Sequence, residues 1–226
     1  MQTTLPVSAL DVDARAAFIT KTYAHLLIAI IGFIAIEVFF FQSGLAYPMA
    51  QAMLGVNWLL VLGGFMLVSW FATRAAHQAT STVAQYAALG ATVLAQAVIF
   101  VPLLVMAEYY APGAISSAGF VTLLGFGALT AIAFWTRKDF SFLGAALKWA
   151  GIVALLLIVG SVLFGFQLGT FFSVAMIAFA GGAILYDTSN ILHHYPEDRY
   201  VGASVQLFAS VALMFWYILQ LFMSRD

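Results

Sequence analysis

The chain has 226 residues, of which 64% are hydrophobic and 8% are charged, whereas soluble domains carry about 25% charged residues. A formal net charge of -1, from 8 Lys and Arg against 9 Asp and Glu, offers no basic surface for nucleic acid. The absence of cysteine excludes disulfides, thiolate catalysis and cysteine-ligated zinc. This composition predicts an integral membrane protein and excludes a soluble globular one.

The first 20 residues are more polar than the rest of the chain. They include Asp11 and Asp13, and they lack the basic region and the small-residue cleavage site of a secretory signal peptide. We predict a short cytoplasmic N-terminal arm over residues 1–20, followed by a single transmembrane domain over residues 21–226. The first span would then act as its own insertion signal.

Seven segments after this arm have the length and apolar character of transmembrane helices. About 20 mostly apolar residues are needed for a helix to cross a hydrocarbon core about 30 Å thick, because backbone groups in lipid must bond within the segment. We therefore predict an all-α, seven-transmembrane-helix bundle. The predicted spans are residues 23–41, 53–73, 82–106, 117–135, 142–164, 171–192 and 201–223.

The positive charges predict the orientation of the bundle. Lys and Arg favour the cytoplasmic side of a membrane. Six of them fall at the N-terminus or in alternate loops, whereas Arg225 falls on the opposite side. We predict a cytoplasmic N-terminus and an outside C-terminus. The six residues are Arg15, Lys21, Arg74, Arg137, Lys138 and Arg199.

Two carboxylates, Glu37 and Asp187, lie inside predicted spans. A charged side chain at the bilayer centre costs about 3 kcal/mol, so such a residue is a functional candidate. At a rise of about 1.5 Å per residue, Glu37 lies roughly 7 Å from the outer end of span one and Asp187 roughly 8 Å from the inner end of span six. At these depths they cannot share a proton. Glu37 is either a second intramembrane carboxylate or a side chain that reaches the outer interface.

Asp187 begins a predicted polar stripe. Helical spacing places Asn190 and His194 on its face toward the cytoplasm. In span seven, Gln206 and Ser210 are i, i+4 neighbours and are expected to present a facing polar stripe. Burial disfavours the charged form of a carboxyl group, so we predict that Asp187 is a pH gate beside a wet cavity. The alternative is a structural carboxylate, held by Thr or Ser hydroxyls or by a basic residue.

Several enzyme classes lack a required residue. An intramembrane aspartyl protease needs two carboxylates that share a proton, and no other predicted span contains an aspartate. A retinal protein needs a lysine in its last span, whereas Lys148 lies in the fifth. His193 and His194 are about 100° apart on a helix and cannot ligate one ion together. We expect a non-enzymatic protein without a cofactor or a metal centre.

Three stretches of the sequence resemble the Bax inhibitor-1 family, and especially its bacterial YccA-like branch. They are KTYAHLL (21–27), TRKDFSFLG (136–144) and AILYDTSNILH (183–193). The resemblance implies a seven-helix bundle in the cell inner membrane, with the sixth span near the centre of the bundle.

The resemblance also implies two functions. Members of this family are described as pH-sensitive leak pathways for calcium, in which an aspartate of span six pairs with one of span seven. Asp187 matches the first aspartate, and the second position falls at or close to Ser210, so the pair is incomplete here. The alternative is an interaction partner and modulator of the membrane AAA protease FtsH, without a transport role. Its expected contact is the N-terminal arm.

Overall fold

The computed structural model describes residues 6–78 and 81–224, and these residues are almost entirely helical. A short 3-10 turn at Val7–Ala9 precedes eight α-helices in this part of the chain. The helices are α1 (Val12–Gln42), α2 (Ala46–Leu54), α3 (Trp58–Gln78), α4 (Thr82–Tyr110), α5 (Ala114–Thr136), α6 (Leu143–Phe164), α7 (Gly169–His193) and α8 (Tyr200–Met223).

Seven of these helices, α1 and α3 to α8, are long and apolar enough to cross a membrane. The predicted number of spans is confirmed for the described residues. The remaining helix, α2, has 9 residues and reaches only about 14 Å at 1.5 Å per residue, too short to cross. The fold is therefore a helical bundle of the kind that integral membrane proteins form.

The first two spans begin at different residues from those predicted. Helix α1 begins at Val12, because the Asp11 carboxylate accepts a hydrogen bond of 2.8 Å from the Ala14 backbone N–H and caps the helix. Residues 12–20 of the predicted arm are therefore the first turns of α1. The predicted start of span two at residue 53 is wrong, because that residue belongs to α2 and the crossing helix α3 begins at Trp58.

The centre of the bundle is formed by α4 and α8. Of the most apolar window of each helix, 61% is buried in α4 and 56% in α8, against 28% in α7. The most apolar part of α7, the predicted sixth span, is therefore less buried than that of α4 or α8. The buried residues of α7 are concentrated in its second half.

Aromatic rings fill the space between the central helices. The ring of Phe100 on α4 lies 5.2 Å from that of Phe33, 5.6 Å from that of Phe215 and 4.9 Å from that of Trp216, measured between centroids. Each such pair contributes about 0.5–1.5 kcal/mol beyond the area it buries. These contacts join α1, α4 and α8 and hold α8 in its position next to α7.

The N-terminal residues pack against the end of α7. The Val7 backbone N–H donates a hydrogen bond of 2.9 Å to the Tyr195 carbonyl, and Arg15 donates one of 3.0 Å to the Leu192 carbonyl. The Val7 side chain is 0% exposed. Residues 6–18, called the N-terminal strap below, therefore lie across the loop that joins α7 to α8.

Candidate functional site

Asp187 on α7 faces α8 inside the bundle. Its side chain is 2% exposed, and its Oδ2 atom accepts a hydrogen bond of 2.5 Å from the Ser210 hydroxyl. The Gln206 side chain also hydrogen-bonds to Asp187. Because α7 and α8 are joined by a short loop and pack side by side, residues one turn apart on α8 meet the same carboxylate. The structure thus brings together Asp187, Gln206 and Ser210.

The partners of this carboxylate are neutral. Among the described residues, the ion pairs join His194 to Asp139 and Arg199 to Asp198. Buried charges in proteins are usually paired or neutralised, because an isolated buried charge is costly. The structure therefore does not show the alternative in which a basic residue pairs with Asp187. The hydrogen bond from Ser210 is compatible with both a gate and a structural role.

His194 is the last residue of the predicted stripe. Helix α7 ends at His193, and the backbone N–H groups of His194 and Tyr195 donate to the Asn190 carbonyl at 2.8 and 3.1 Å. His194 is the C-cap residue of α7, and its side chain pairs with Asp139. Asn190 is half-buried on the last turn of α7. Among the described residues no hydrogen bond or ion pair joins His194 to Asp187, and its place on the path from Asp187 stays a prediction.

His194 instead binds the loop between α5 and α6. Its Nε2 atom lies 3.0 Å from Asp139 Oδ2, and the Phe140 backbone N–H donates a hydrogen bond of 2.8 Å to the Ser189 hydroxyl. Hydrogen bonds from the backbone and side chain of Ser141 lower the pKa of Asp139 to about 2. Asp139 is therefore ionised near neutral pH. It lies in the TRKDFS stretch, but nothing in the spacing of that stretch predicts the contact with α7.

A second polar group lies between α1, α5 and α7. Tyr23 on α1, Thr130 on α5 and Thr188 on α7 bring three hydroxyl groups together. These oxygens are buried, and none of them makes a direct hydrogen bond within the described residues. Buried polar groups without protein partners are expected to be hydrated. Sequence reasoning missed this group, although Thr188 directly follows Asp187 in the chain.

Tyr195, in the α7–α8 loop, lies near enough to Asp187 for the two groups to interact electrostatically. Burial raises the pKa of the Tyr195 phenol, and the nearby charge of Asp187 raises it further. The phenol therefore stays neutral at physiological pH. The ring of Phe18 packs 6.5 Å from the ring of Tyr195, between centroids. The N-terminal strap thus packs against Tyr195, a residue that interacts with the site.

Glu37 is buried in a different part of the bundle. Its side chain is 7% exposed, and neither carboxylate oxygen has a hydrogen-bond partner among the described residues. It lines a cavity of about 590 Å³ between α1, α4, α5 and α8, which Asp187 does not line. Helices α4, α5 and α8 therefore cover most of the Glu37 side chain, and whether it acts as a second intramembrane carboxylate or reaches the outer interface stays a prediction.

The described residues contain no group of three or more His, Asp or Glu side chains that could hold a metal ion. Neither Asp187 nor Glu37 therefore belongs to such a group. The arrangement at Asp187 supplies one carboxylate, one hydroxyl and one amide oxygen. These groups can accept a proton or contribute a few oxygen ligands to a hydrated cation.

Comparison with known proteins gives the relationships of the chain. The Modulator of FtsH protease YccA of Escherichia coli strain K12 is 37% identical over 108 residues, which cover 46% of this chain and 49% of that protein. The Inner membrane protein YccA of Escherichia coli O6:H1 matches to the same extent. Bax inhibitor 1 of Schizosaccharomyces pombe is 36% identical over 123 residues, or 50% of this chain and 43% of that protein. The matched region spans about half the length of these curated relatives.

The predicted multi-pass location in the cell inner membrane agrees with the name of the second relative and with the seven helices able to cross a membrane. The names of the relatives describe a modulator and membrane proteins. The family model described as Inhibitor of apoptosis-promoting Bax1 matches residues 15–226, which is nearly the whole chain. The protein therefore belongs to the Bax inhibitor-1 family of membrane proteins.

Proposed function

We propose that this protein forms a pH-sensitive leak pathway for cations, calcium among them, gated at Asp187. It lies in the inner membrane as one transmembrane domain, with its N-terminus in the cytoplasm and its C-terminus outside. The observation that carries the proposal is the Asp187 carboxylate, which is buried and bonded to the neutral Ser210 rather than to a basic residue. The hydroxyl groups of Tyr23 and Thr188 extend the polar region toward α1.

The gate works through the cost of burying a charge. A protonated Asp187 fits the dry contact between α7 and α8, whereas a charged one without a basic partner costs several kcal/mol there. Loss of the proton therefore favours a separation of α7 from α8 that admits water or a cation. Ser210 and Gln206 then supply oxygen ligands, and Asn190 lies on the path toward the end of α7. Calcium usually has six to eight oxygen ligands, so the ion keeps most of its water.

The Asp187→Asn variant tests this gate. The amide cannot lose a proton, so we expect its calcium flux to be independent of pH, whereas wild-type flux increases with pH. The measurement is flux into liposomes that contain the purified full-length protein, over a series of pH values. The matched control is Asp13→Asn, an exposed carboxylate in the first turn of α1, which should keep the wild-type profile. Superimposable profiles for wild type and Asp187→Asn would contradict the proposal.

A second candidate function is modulation of the protease FtsH without transport. It is favoured by the similarity to YccA, whose name describes a modulator of that protease. The N-terminal strap would provide the contact, because it lies at the surface at the cytoplasmic end in the proposed orientation. Val12 at the start of α1 is 83% exposed there, an uncommon position for an apolar side chain in water.

The Val12→Glu variant tests this contact. Removing one interface anchor costs more than 1 kcal/mol, so we expect co-purification with FtsH to fall about fivefold or more. Calcium flux should not change. The control is Tyr109→Glu, which places the same charge at an exposed aromatic residue at the opposite end of the bundle. Equal recovery of FtsH with wild type and Val12→Glu would count against modulation through the strap.

A further inference from the structure

The cavity around Glu37 has the size and shape of a ligand site. Its volume is about 590 Å³, and along α1 it extends from Ile30 to Gln42. Twelve residues of helix correspond to about 18 Å, so the cavity is elongated along the helix axis. Sites for small molecules commonly have volumes of about 300–1,000 Å³, with mostly apolar walls and a few polar groups that fix the orientation of the ligand.

The polar groups of the cavity are acidic or neutral. Glu37 and Glu108 line it, together with Gln42 and Thr122, and no Lys, Arg or His of the described part of the chain does. Glu108 is exposed near the end of α4, whereas both oxygens of Glu37 are buried and unbonded within the described residues. An unpaired buried carboxylate is costly, so a positive group beside Glu37 would remove a large penalty. The charge of the site therefore favours a cation.

The walls decide what kind of cation fits. Below Glu37 the cavity is lined by Ile30, Phe33 and Phe208, whose side chains offer no oxygen ligands. Inorganic cations such as calcium require several oxygen ligands, which this part of the cavity does not supply. An apolar chain, in contrast, gains free energy from every methylene group that it buries.

We propose that the cavity binds a cationic amphiphile with an ammonium head and one apolar chain. The head pairs with the Glu37 carboxylate, and the chain extends along Phe33 and Ile30 toward Phe208. Glu37 lies five residues before the end of α1, about 7.5 Å from it, so the head is close to the membrane interface. The seven residues from Glu37 back to Ile30 leave about 10 Å for the part of the chain nearest the head. This site uses neither Asp187 nor its partners, so it stands independently of the leak proposal.

The probe is radiolabelled dodecylamine, compared with dodecanol, which has the same chain and no charge. The full-length protein is reconstituted in nanodiscs of the uncharged lipid digalactosyldiacylglycerol, and binding to empty nanodiscs is subtracted. We expect saturable binding of about one dodecylamine per chain, at least about tenfold tighter than dodecanol, because hydrogen bonds to a charged group are strong. Equal affinities for the amine and the alcohol would overturn the proposal.

Two variants test separately how the ammonium head and the apolar chain contribute to binding. Glu37→Gln should weaken dodecylamine binding about tenfold and leave dodecanol binding unchanged. It should not lower the melting temperature, because Glu37 has no protein partner to lose. Gly119→Leu should abolish the binding of both probes, because Gly119 lines the cavity and an added Cβ meets nothing within 4 Å.

The control for the second variant is Gly127→Leu on the same helix. Its added Cβ also meets nothing within 4 Å, but Gly127 does not line the cavity, so its binding should equal that of the wild type. Tight amine binding by Glu37→Gln or saturable binding by Gly119→Leu would overturn the proposal. It would also be overturned if native mass spectrometry showed one lipid per chain that saturating dodecylamine does not displace.

Discussion

The Ser210→Asp variant is expected to conduct calcium several-fold faster than the wild type at high pH and to respond more steeply to pH. Ser210 Oγ lies 2.5 Å from Asp187 Oδ2, so an aspartate at this position would place two carboxyl groups in contact. Two such groups lose their protons in two separate steps, because like charges so close cannot both ionise easily. When both are charged, their repulsion separates α7 from α8. Two charged oxygen ligands also bind calcium better than one.

Calcium flux into liposomes over a series of pH values measures this effect. The matched control is Ser210→Asn, which has nearly the same size and shape as aspartate but cannot ionise. We expect Ser210→Asn to conduct like the wild type or less, since an amide can hydrogen-bond to Asp187 without repelling it. Should the Asp and Asn variants give the same profile, charge at this position would not control the pathway.

The Val7→Asp variant is expected to detach the N-terminal strap and to raise calcium flux at every pH. Val7 is 0% exposed, and its backbone N–H holds the Tyr195 carbonyl. A carboxylate at this fully buried position costs at least about 3 kcal/mol, which shifts the docking of the strap more than a hundredfold toward the open form. Tyr195 then loses its cover, and water reaches Asp187 more easily.

Limited proteolysis and amide hydrogen exchange of the reconstituted protein measure the release of the strap. Both should increase over residues 6–18 and leave the centre of α4 protected. The control is Ser8→Asp, which adds the same charge one residue further along the chain, at an exposed position. If Ser8→Asp released the strap as strongly as Val7→Asp, the burial of Val7 would not be what holds it.

The pairing of Asp187 with Ser210 could be predicted because it depends on regularities of long helices. Hydropathy identifies seven spans, and a fixed number of residues per turn places Gln206 and Ser210 on one face. The end of α7 could not be predicted in this way. It depends on the two N–H groups, of His194 and Tyr195, that reach the Asn190 carbonyl, and no apolar periodicity reports such a contact.

Helix α2 and the burial of Glu37 were unpredictable for a related reason. Hydropathy measures how apolar a segment is and not what packs against it, so residues 46–54 read as part loop and part span. Glu37 lies near the end of an apolar helix, where a long side chain ordinarily reaches water. Only the positions of α4, α5 and α8 around it, which arise from packing, show how little of it is exposed.

The N-terminal strap has a consequence for how the protein is made. Arg15 and the Leu192 carbonyl that it binds are 177 residues apart in the chain, so this contact forms only after the end of α7 has left the ribosome. Contacts between such distant residues form late, because they require the closure of a long loop. A nascent chain that stops before α8 has the residues that hold the strap, Leu192 and Tyr195, but lacks Ser210 beside Asp187. The carboxylate therefore gains its hydroxyl partner only once α8 has been made, later than the residues that hold the strap.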